Sequence, residues 1–245
     1  MTTPASAVIA ARRVFLDGAF RPATVTVADG RISGIGDFDP DAERVLPEDL
    51  VLLPGLVDSH VHLNDPGRAS WEGFDTGTAA AAAGGVTTVL DMPLNSIPVT
   101  TSPDALAAKR AAARGRLAVD VGYWGGAVPE NIGHLRELAE AGVVGFKCFL
   151  SPSGIDEFEH LSSPQLEAAL TELAAFDGLL IVHAEDPAHL HADGALGTHY
   201  ADFEASRPPL SERAAIQRVI DAARRTGARA HIVHVSDGGS LDAVR

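Results

Sequence analysis

From about residue 50 the chain alternates between short apolar runs and longer stretches whose apolar residues recur every three or four positions. The apolar runs predict strands over 50–62, 86–91, 117–123, 145–150, 179–183 and 229–235. The intervening stretches predict helices over 72–83, 102–114, 129–141, 163–176 and 211–225. Ser102-Pro103 and Ser163-Pro164 read as helix starts, because a serine cap followed by proline suits a first turn. Gly84-Gly85 and Gly142 read as stops. Repeated strand–helix units with short connections predict a parallel sheet covered by helices. Six units are visible, whereas a closed barrel needs eight strands and about 250 residues. The chain is therefore expected to be the N-terminal part of a longer protein.

Residues 7–49 differ. Val8-Ile9-Ala10, Arg13-Val14-Phe15, Thr24-Val25-Thr26-Val27 and Arg31-Ile32 are short β-rich runs, punctuated by the hairpin dipeptides Asp17-Gly18 and Asp29-Gly30. They predict a small β-meander that ends in the polar stretch 40–48. The expected division is a β module over 1–49 and a barrel-like unit over 50–245.

Composition excludes several function classes. The 245 residues are 46% hydrophobic, enough for a substantial core, and the net charge of −14 speaks against nucleic acid or an anionic membrane as partner. The single cysteine, Cys148, rules out a disulfide within the chain and fits a reducing cytoplasm. Met1 to Ala7 lacks the charged start and apolar run of a signal peptide, and no stretch reaches the ~18 apolar residues of a membrane span.

The polar residues that interrupt the strands carry the chemistry. His60 and His62 lie two apart at the end of the first strand, so both imidazoles project from one face and can chelate a divalent metal. Lys147 sits alone among Phe146, Cys148 and Phe149; His183 ends the next strand, and His231 and His234 lie on the last. Barrel enzymes place catalytic groups at these C-terminal strand ends. A doubly wound sheet fits less well, since no glycine-rich phosphate loop follows the first strand. His231 and His234 compete for one role; being nearer the strand end favours His234. Asp91 is open between supporting the site and capping the loop before Pro93. Trp71 and Phe74 either cover the site or pack the loop. Glu185 and Asp186 are candidates to orient His183.

Pro54-Gly55-Leu56-Val57-Asp58-Ser59-His60-Val61-His62 resembles the first-strand signature of the cyclic amidohydrolases, which include allantoinases, hydantoinases, dihydropyrimidinases and dihydroorotases. Within the family the likeness is greatest to the allantoinases, carried by Asn64 to Phe74, Asp91 to Pro98, and Gly145 to Leu150 with Ser153 to Phe158. Asn64 stands where dihydroorotases usually carry an arginine for the substrate carboxylate, which favours a neutral ring.

The resemblance implies an α/β architecture: a (β/α)8 TIM-type barrel, truncated here after about six units, with a small β-sandwich built partly from residues 1–49. It implies hydrolysis of allantoin to allantoate in purine catabolism, with hydantoinase, dihydropyrimidinase or dihydroorotase-like activity as the alternative. A non-catalytic assembly module is the reading from another class. By the resemblance, His60 and His62 bind one of two divalent metals, zinc being expected, and His183 and His234 bind the other. Lys147, carboxylated by CO2, bridges them, and Asn64 contacts substrate. The catalytic Asp of the family follows an eighth strand and has no counterpart up to Arg245. A homo-oligomer is implied for the full-length protein. A free ammonium has only donors and cannot ligate a metal, whereas its carbamate offers two anionic oxygens between repelling cations.

Overall fold

The computed structural model describes residues 6–191 and 197–245, so the start that reads as lacking a signal peptide lies mostly outside the described residues. The chain forms two compact units, Met1–Leu56 and Val57–Arg245.

In the first unit, β1 (Ala7–Leu16), β2 (Ala19–Ala28), β3 (Arg31–Gly36) and β4 (Arg44–Val45) form one sheet in the order β3-β2-β1-β4. Asp17 and Gly18 take φ of 52° and 83°, and Asp29 and Gly30 take 52° and 73°, the left-handed pairs that two-residue hairpin loops need. The two runs expected at 8–10 and 13–15 are one strand, broken only by a register shift between Ala11 and Val14. Ala11, Val14, Ala23 and Val25 make its small core. The described residues of this unit form a single sheet, without a second one stacked on it. Residues 50–55, expected to begin a barrel strand, instead give an isolated bridge from Leu52 to Val14, and Pro54-Gly55 separates them from β5 (Leu56–Val61).

The second unit continues with α1 (Phe74–Ala83), β6 (Val86–Asp91), α2 (Pro103–Ala113), β7 (Asp120–Tyr123), β8 (Gly125–Gly126), α3 (Leu135–Glu140) and β9 (Phe146–Phe149). Then follow α4 (Ser163–Ala174), β10 (Leu179–His183), α5 (Tyr200–Ser206), α6 (Pro209–Thr226), β11 (Arg229–Ile232) and α7 (Leu241–Val244). The strand orders are β5-β6-β7 and β8-β9-β10-β11. Trp124 joins them: its N–H donates to Asp91 at 2.9 Å, while the flanking Gly125 N–H donates to Gly145 at 2.9 Å. One continuous strand thus passes hydrogen bonding from β6 to β9.

Alternation sorts the side chains. Phe146, Cys148, Leu150, Leu180 and Val182 enter a core with Leu166, Leu170 and Leu173 of α4 and Ile216 and Val219 of α6. The opposite face gathers Trp124, Phe149 and Ile181 with Met92, Leu94, Phe158 and Val233. Lys147 belongs to that second face, and Cys148 packs away from it.

Several boundaries differ from expectation. The helix over 129–141 is a 3-10 turn at Pro129–Asn131 and then α3, because Gly133 takes φ of 97°. β11 stops at Ile232 rather than 235. The helix α5 was not anticipated. In α1 only Phe74 and Thr78 are fully buried, and of the alanines 79–83 Ala81 packs against the core while the others are exposed.

Candidate metal centre

His60, His62, Lys147, His183 and His234 converge on one edge of the second unit. His60 and His62 are 5.6 Å apart, His60 and His234 5.3 Å, and His234 and His183 4.9 Å, measured between ring centroids. The imidazoles form a row in the order His62, His60, His234, His183. His234 lies two residues beyond β11, and its φ of 40° turns the backbone out of the strand direction. His231 stays within β11, opposite Ile181, and makes no ring contact with the row among the described residues. His191 and His199 are exposed, and His160 and His189 half-buried, away from it.

Lys147 is 1% exposed, and its Nζ has no hydrogen-bond partner. It stands 4.8 Å from the centroid of the Phe149 ring. Burial lowers its pKa to about 8. Burial first, and then the Lys147 charge, lower His60 and His234 to about 4 each. His62 is lowered too, by burial, against its contact with the Leu94 carbonyl. The three rings are therefore neutral at pH 7, with lone pairs available. The carbonyl of Leu94, 3.0 Å from His62 Nδ1, requires a proton on that nitrogen and leaves Nε2 as the ligating atom.

Among the described residues no three His, Cys, Asp or Glu side chains are grouped to hold an ion by themselves. An ion seated between two imidazoles needs a third ligand, and the buried amine lacking a partner is the group placed to supply it. As an ammonium Lys147 would repel cations; as a carbamate it satisfies both its own burial and the missing ligand. The residues fit a metal pair on that condition.

The surroundings include groups that sequence reasoning left open or missed. Asp91 supports the site: its carboxylate accepts from the Leu63 N–H, directly after His62, at 2.8 Å and pairs with Lys109 Nζ at 2.7 Å. Lys109, which also donates to the Met92 carbonyl at 2.8 Å, was not anticipated, although it sits on the buried face of α2 with Ala105, Leu106 and Ala113. Glu185 reaches His183 Nε2 at 2.6 Å, whereas Asp186 turns to Arg218 at 2.6 Å. The His183 contact and Arg207 hold Glu185 at a pKa of about 2. Asn64 is buried, and its Oδ1 accepts from Asn95 Nδ2 at 2.9 Å. Phe74 packs in the core and Trp71 is exposed under the Arg68 guanidinium. A cavity of about 580 Å³ adjoins the row, lined in part by Phe149, His183, Glu185, Phe203, Arg207 and His234.

Known proteins of similar sequence and fold fall in one group. The allantoinase of Streptomyces avermitilis is 52% identical over 96% of this chain and 54% of its own length. The mitochondrial allantoinase of Aquarana catesbeiana is 42% identical over 99% of this chain and 52% of its own. Among solved structures, the L-hydantoinase (dihydropyrimidinase) of Arthrobacter aurescens superposes with a TM-score of 0.85 at 31% identity, over 96% of this chain and 55% of that one. The chain thus spans about half the length of the relatives it matches, and its fold is an α/β one of TIM type. With strand-end imidazoles around a buried lysine, and a profile of the amidohydrolase family matching residues 51–245, the chain belongs to the amidohydrolase family.

Proposed function

We propose that this chain carries the metal-binding part of a hydrolase that opens the cyclic amide of allantoin to allantoate. The observation that carries the reading is the buried, partnerless amine of Lys147 beside a row of neutral imidazoles. The substrate is taken from the relatives' names. His60 and His62 would hold one divalent ion, and His183 and His234 the other; zinc suits imidazole and carboxylate ligands. When bound, the pair supplies Lewis acidity to a carbonyl and activates water at neutral pH.

The chain's own residues prepare for this. A lysine reacts with CO2 only as the free amine: R–NH2 + CO2 gives R–NH–COO⁻ and a proton. With a pKa of about 8, roughly one Lys147 in ten is neutral at pH 7, against about one in 2,500 for an ordinary lysine. Asn64, its Oδ1 engaged by Asn95, offers its amide nitrogen to a carbonyl of a neutral ring. None of this chain's residues is assigned the role of the family's proton-shuttling Asp, so turnover is expected of a protein that also supplies that residue. In the whole enzyme, residues 1–56 contribute to a small β-sandwich and residues 57–245 to the barrel, in a cytoplasmic homo-oligomer. Among the described residues no helix is long and apolar enough to cross a membrane.

The likeness to an L-hydantoinase supports a second reading, hydantoin or dihydropyrimidine opening. Allantoin, hydantoin and dihydrouracil compared side by side with the completed enzyme separate the two. Preference for dihydrouracil overturns the first. Absence of stoichiometric divalent metal from the purified protein overturns both and leaves an assembly module.

A further inference from the structure

His234 owes its place in the imidazole row to a change of backbone direction. Up to Val233 the last strand still follows its neighbour, the Val233 N–H donating to the Val182 carbonyl at 3.2 Å. At His234 φ turns to 40°, a left-handed value uncommon for a residue with a side chain and kept only where the surroundings impose it. Just beyond, the Ser236 and Asp237 N–H groups donate to the two oxygens of one carboxylate, that of Glu212, at 2.8 and 2.6 Å. In an extended strand consecutive N–H groups point to opposite sides, so one carboxylate can take both only after the chain has left that conformation. Consecutive N–H groups that converge form a concavity suited to an anion, and their bonds to a carboxylate are of the stronger kind.

Glu212 is itself firmly placed. It lies in the first turn of α6, whose Ala215, Ile216, Val219 and Ala222 are buried in the core. The residue before it is tied to the loop after β10. There the Asp186 N–H donates to the Ser211 carbonyl, and the Ser211 hydroxyl donates to the Asp186 carbonyl, each at 3.0 Å. The residue after it, Arg213, pairs with Asp237 at 2.5 Å, and Asp237 caps the 3-10 turn Gly238–Ser240 by accepting from the Gly239 N–H at 3.1 Å. Arg213 therefore holds the far side of the loop, whereas Glu212 holds the N–H groups nearer His234.

We propose that Glu212 is a positioning residue: by gathering the Ser236 and Asp237 N–H groups it fixes the left-handed turn at His234 and so brings that imidazole, rather than His231, into the row. The inference rests on the metal-centre reading of His234, but the backbone turn it explains exists without metal. Glu212 touches no reacting atom in this scheme; it acts through the main chain.

The test uses the purified protein stripped of metal, with ¹³C and ¹⁵N in its histidines. The one-bond Cα–Hα coupling and the Cα and Cβ shifts distinguish a left-handed residue from an extended one. His234 is assigned by the signals lost in His234→Gln. In the parent, His234 is expected to show the left-handed signature. Glu212→Ala should move it to the extended signature, or to an average of the two. It should also weaken zinc binding, titrated with zinc alone, by about tenfold or more, within the range found when outer partners of metal ligands are removed. Glu212→Gln keeps the shape and one acceptor, so it should fall between the parent and Glu212→Ala in both readouts. Arg213→Gln loosens the same loop but leaves Glu212 its two N–H groups, so the signature should stay left-handed. Circular dichroism on each variant separates loss of fold from loss of the turn; if Glu212→Ala does not fold, the parent signature and Glu212→Gln decide.

An extended His234 in the parent overturns the assignment, as does a folded Glu212→Ala that keeps the left-handed signature. Unchanged zinc affinity in a Glu212→Ala that has lost the turn overturns the positioning role. A loss of signature in Arg213→Gln equal to that in Glu212→Ala assigns the turn to the loop as a whole and overturns the role of Glu212. A parent whose turn relaxes in Glu212→Ala, yet which binds no zinc, upholds the Glu212 clamp and instead sinks the metal-centre reading.

Discussion

Replacing Lys109 by methionine isolates the worth of the ion pair behind the His60–His62 strand. Both partners are fully buried, and the pair is held at 2.7 Å. Burial already pushes the Asp91 carboxyl up, against the opposing pull of Lys109. In Lys109→Met the carboxylate keeps only the Leu63 N–H, and an unpaired buried charge of this kind costs about 3–5 kcal/mol. The carboxyl has an escape, since it can take up a proton. At pH 7, protonating a carboxyl of ordinary pKa ~3.9 costs about 4 kcal/mol, at about 1.4 kcal/mol per pH unit. That figure caps the loss from the missing charge at about 4 kcal/mol, a large share of a typical 5–15 kcal/mol stability.

The sign of the pH dependence follows from the direction of the shift. With its folded pKa raised above the unfolded value, Asp91 holds its proton in the folded variant where the unfolded chain has lost it. The penalty therefore shrinks as pH falls, by up to about 1.4 kcal/mol per unit. Removing both partners, in Asp91→Leu with Lys109→Met, should cost less than Lys109→Met alone, because no charge is stranded. Urea unfolding of the three proteins at pH 7 and pH 5.5, with coincident fluorescence and circular dichroism transitions as the two-state check, measures each quantity. A loss under about 1 kcal/mol at pH 7, or a loss that does not change with pH, would refute the reasoning.

Lys147→Ala should abolish stoichiometric metal binding, and short carboxylic acids should restore part of it by standing in for the carbamate; plasma emission on dialysed protein reads both. Gly145→Ala should destabilise the β8–β9 junction by about 1–3 kcal/mol, since an added Cβ would lie 2.6 Å from the Trp124 ring and 3.0 Å from the Leu179 carbonyl, a change visible in the melting temperature. Arg213 first, with the Gly239 N–H and Ser240 helping, lowers Asp237 to about 2, so this residue's contribution is present above pH ~4 and lost as pH falls through 2. Carbon-detected titration should show that value return toward ordinary in Arg213→Gln.

Apart from α5, the strand–helix order from 86 to 226 was legible because each strand is an apolar run and each helix carries a periodic face. The row of imidazoles was legible for a related reason: a histidine ending an apolar run contradicts its surroundings. What escaped was set by tertiary context. Residues 50–52 are as apolar as any strand, but Leu52 bridges to Val14. β11 ends before His234, and only the backbone turn there explains why His234 rather than His231 joins the row; alternation along an extended strand could not decide it. Lys109 drew no reading from the sequence, and its burial becomes visible only once Asp91 faces it. Arg207 lies in a polar stretch with no periodic signal, so its pairing with Glu185 was beyond reach.

The spread of the imidazoles along the chain also sets an order in time. His234 follows His60 by roughly 170 residues, which at ~5–20 residues per second of synthesis is about 9–35 s. Neighbouring strands pair with near neighbours in sequence, so much of the sheet can form as it emerges. The row cannot, because His60 and His62 come from the first strand of the second unit, whereas His183 and His234 come from β10 and from just beyond β11. Under the proposed metal reading, the histidine pair at the end of β5 would meet cellular metal well before the residues that would complete its coordination. Selectivity for the right ion would then depend on that early, two-ligand state remaining weak until Lys147, His183 and His234 arrive.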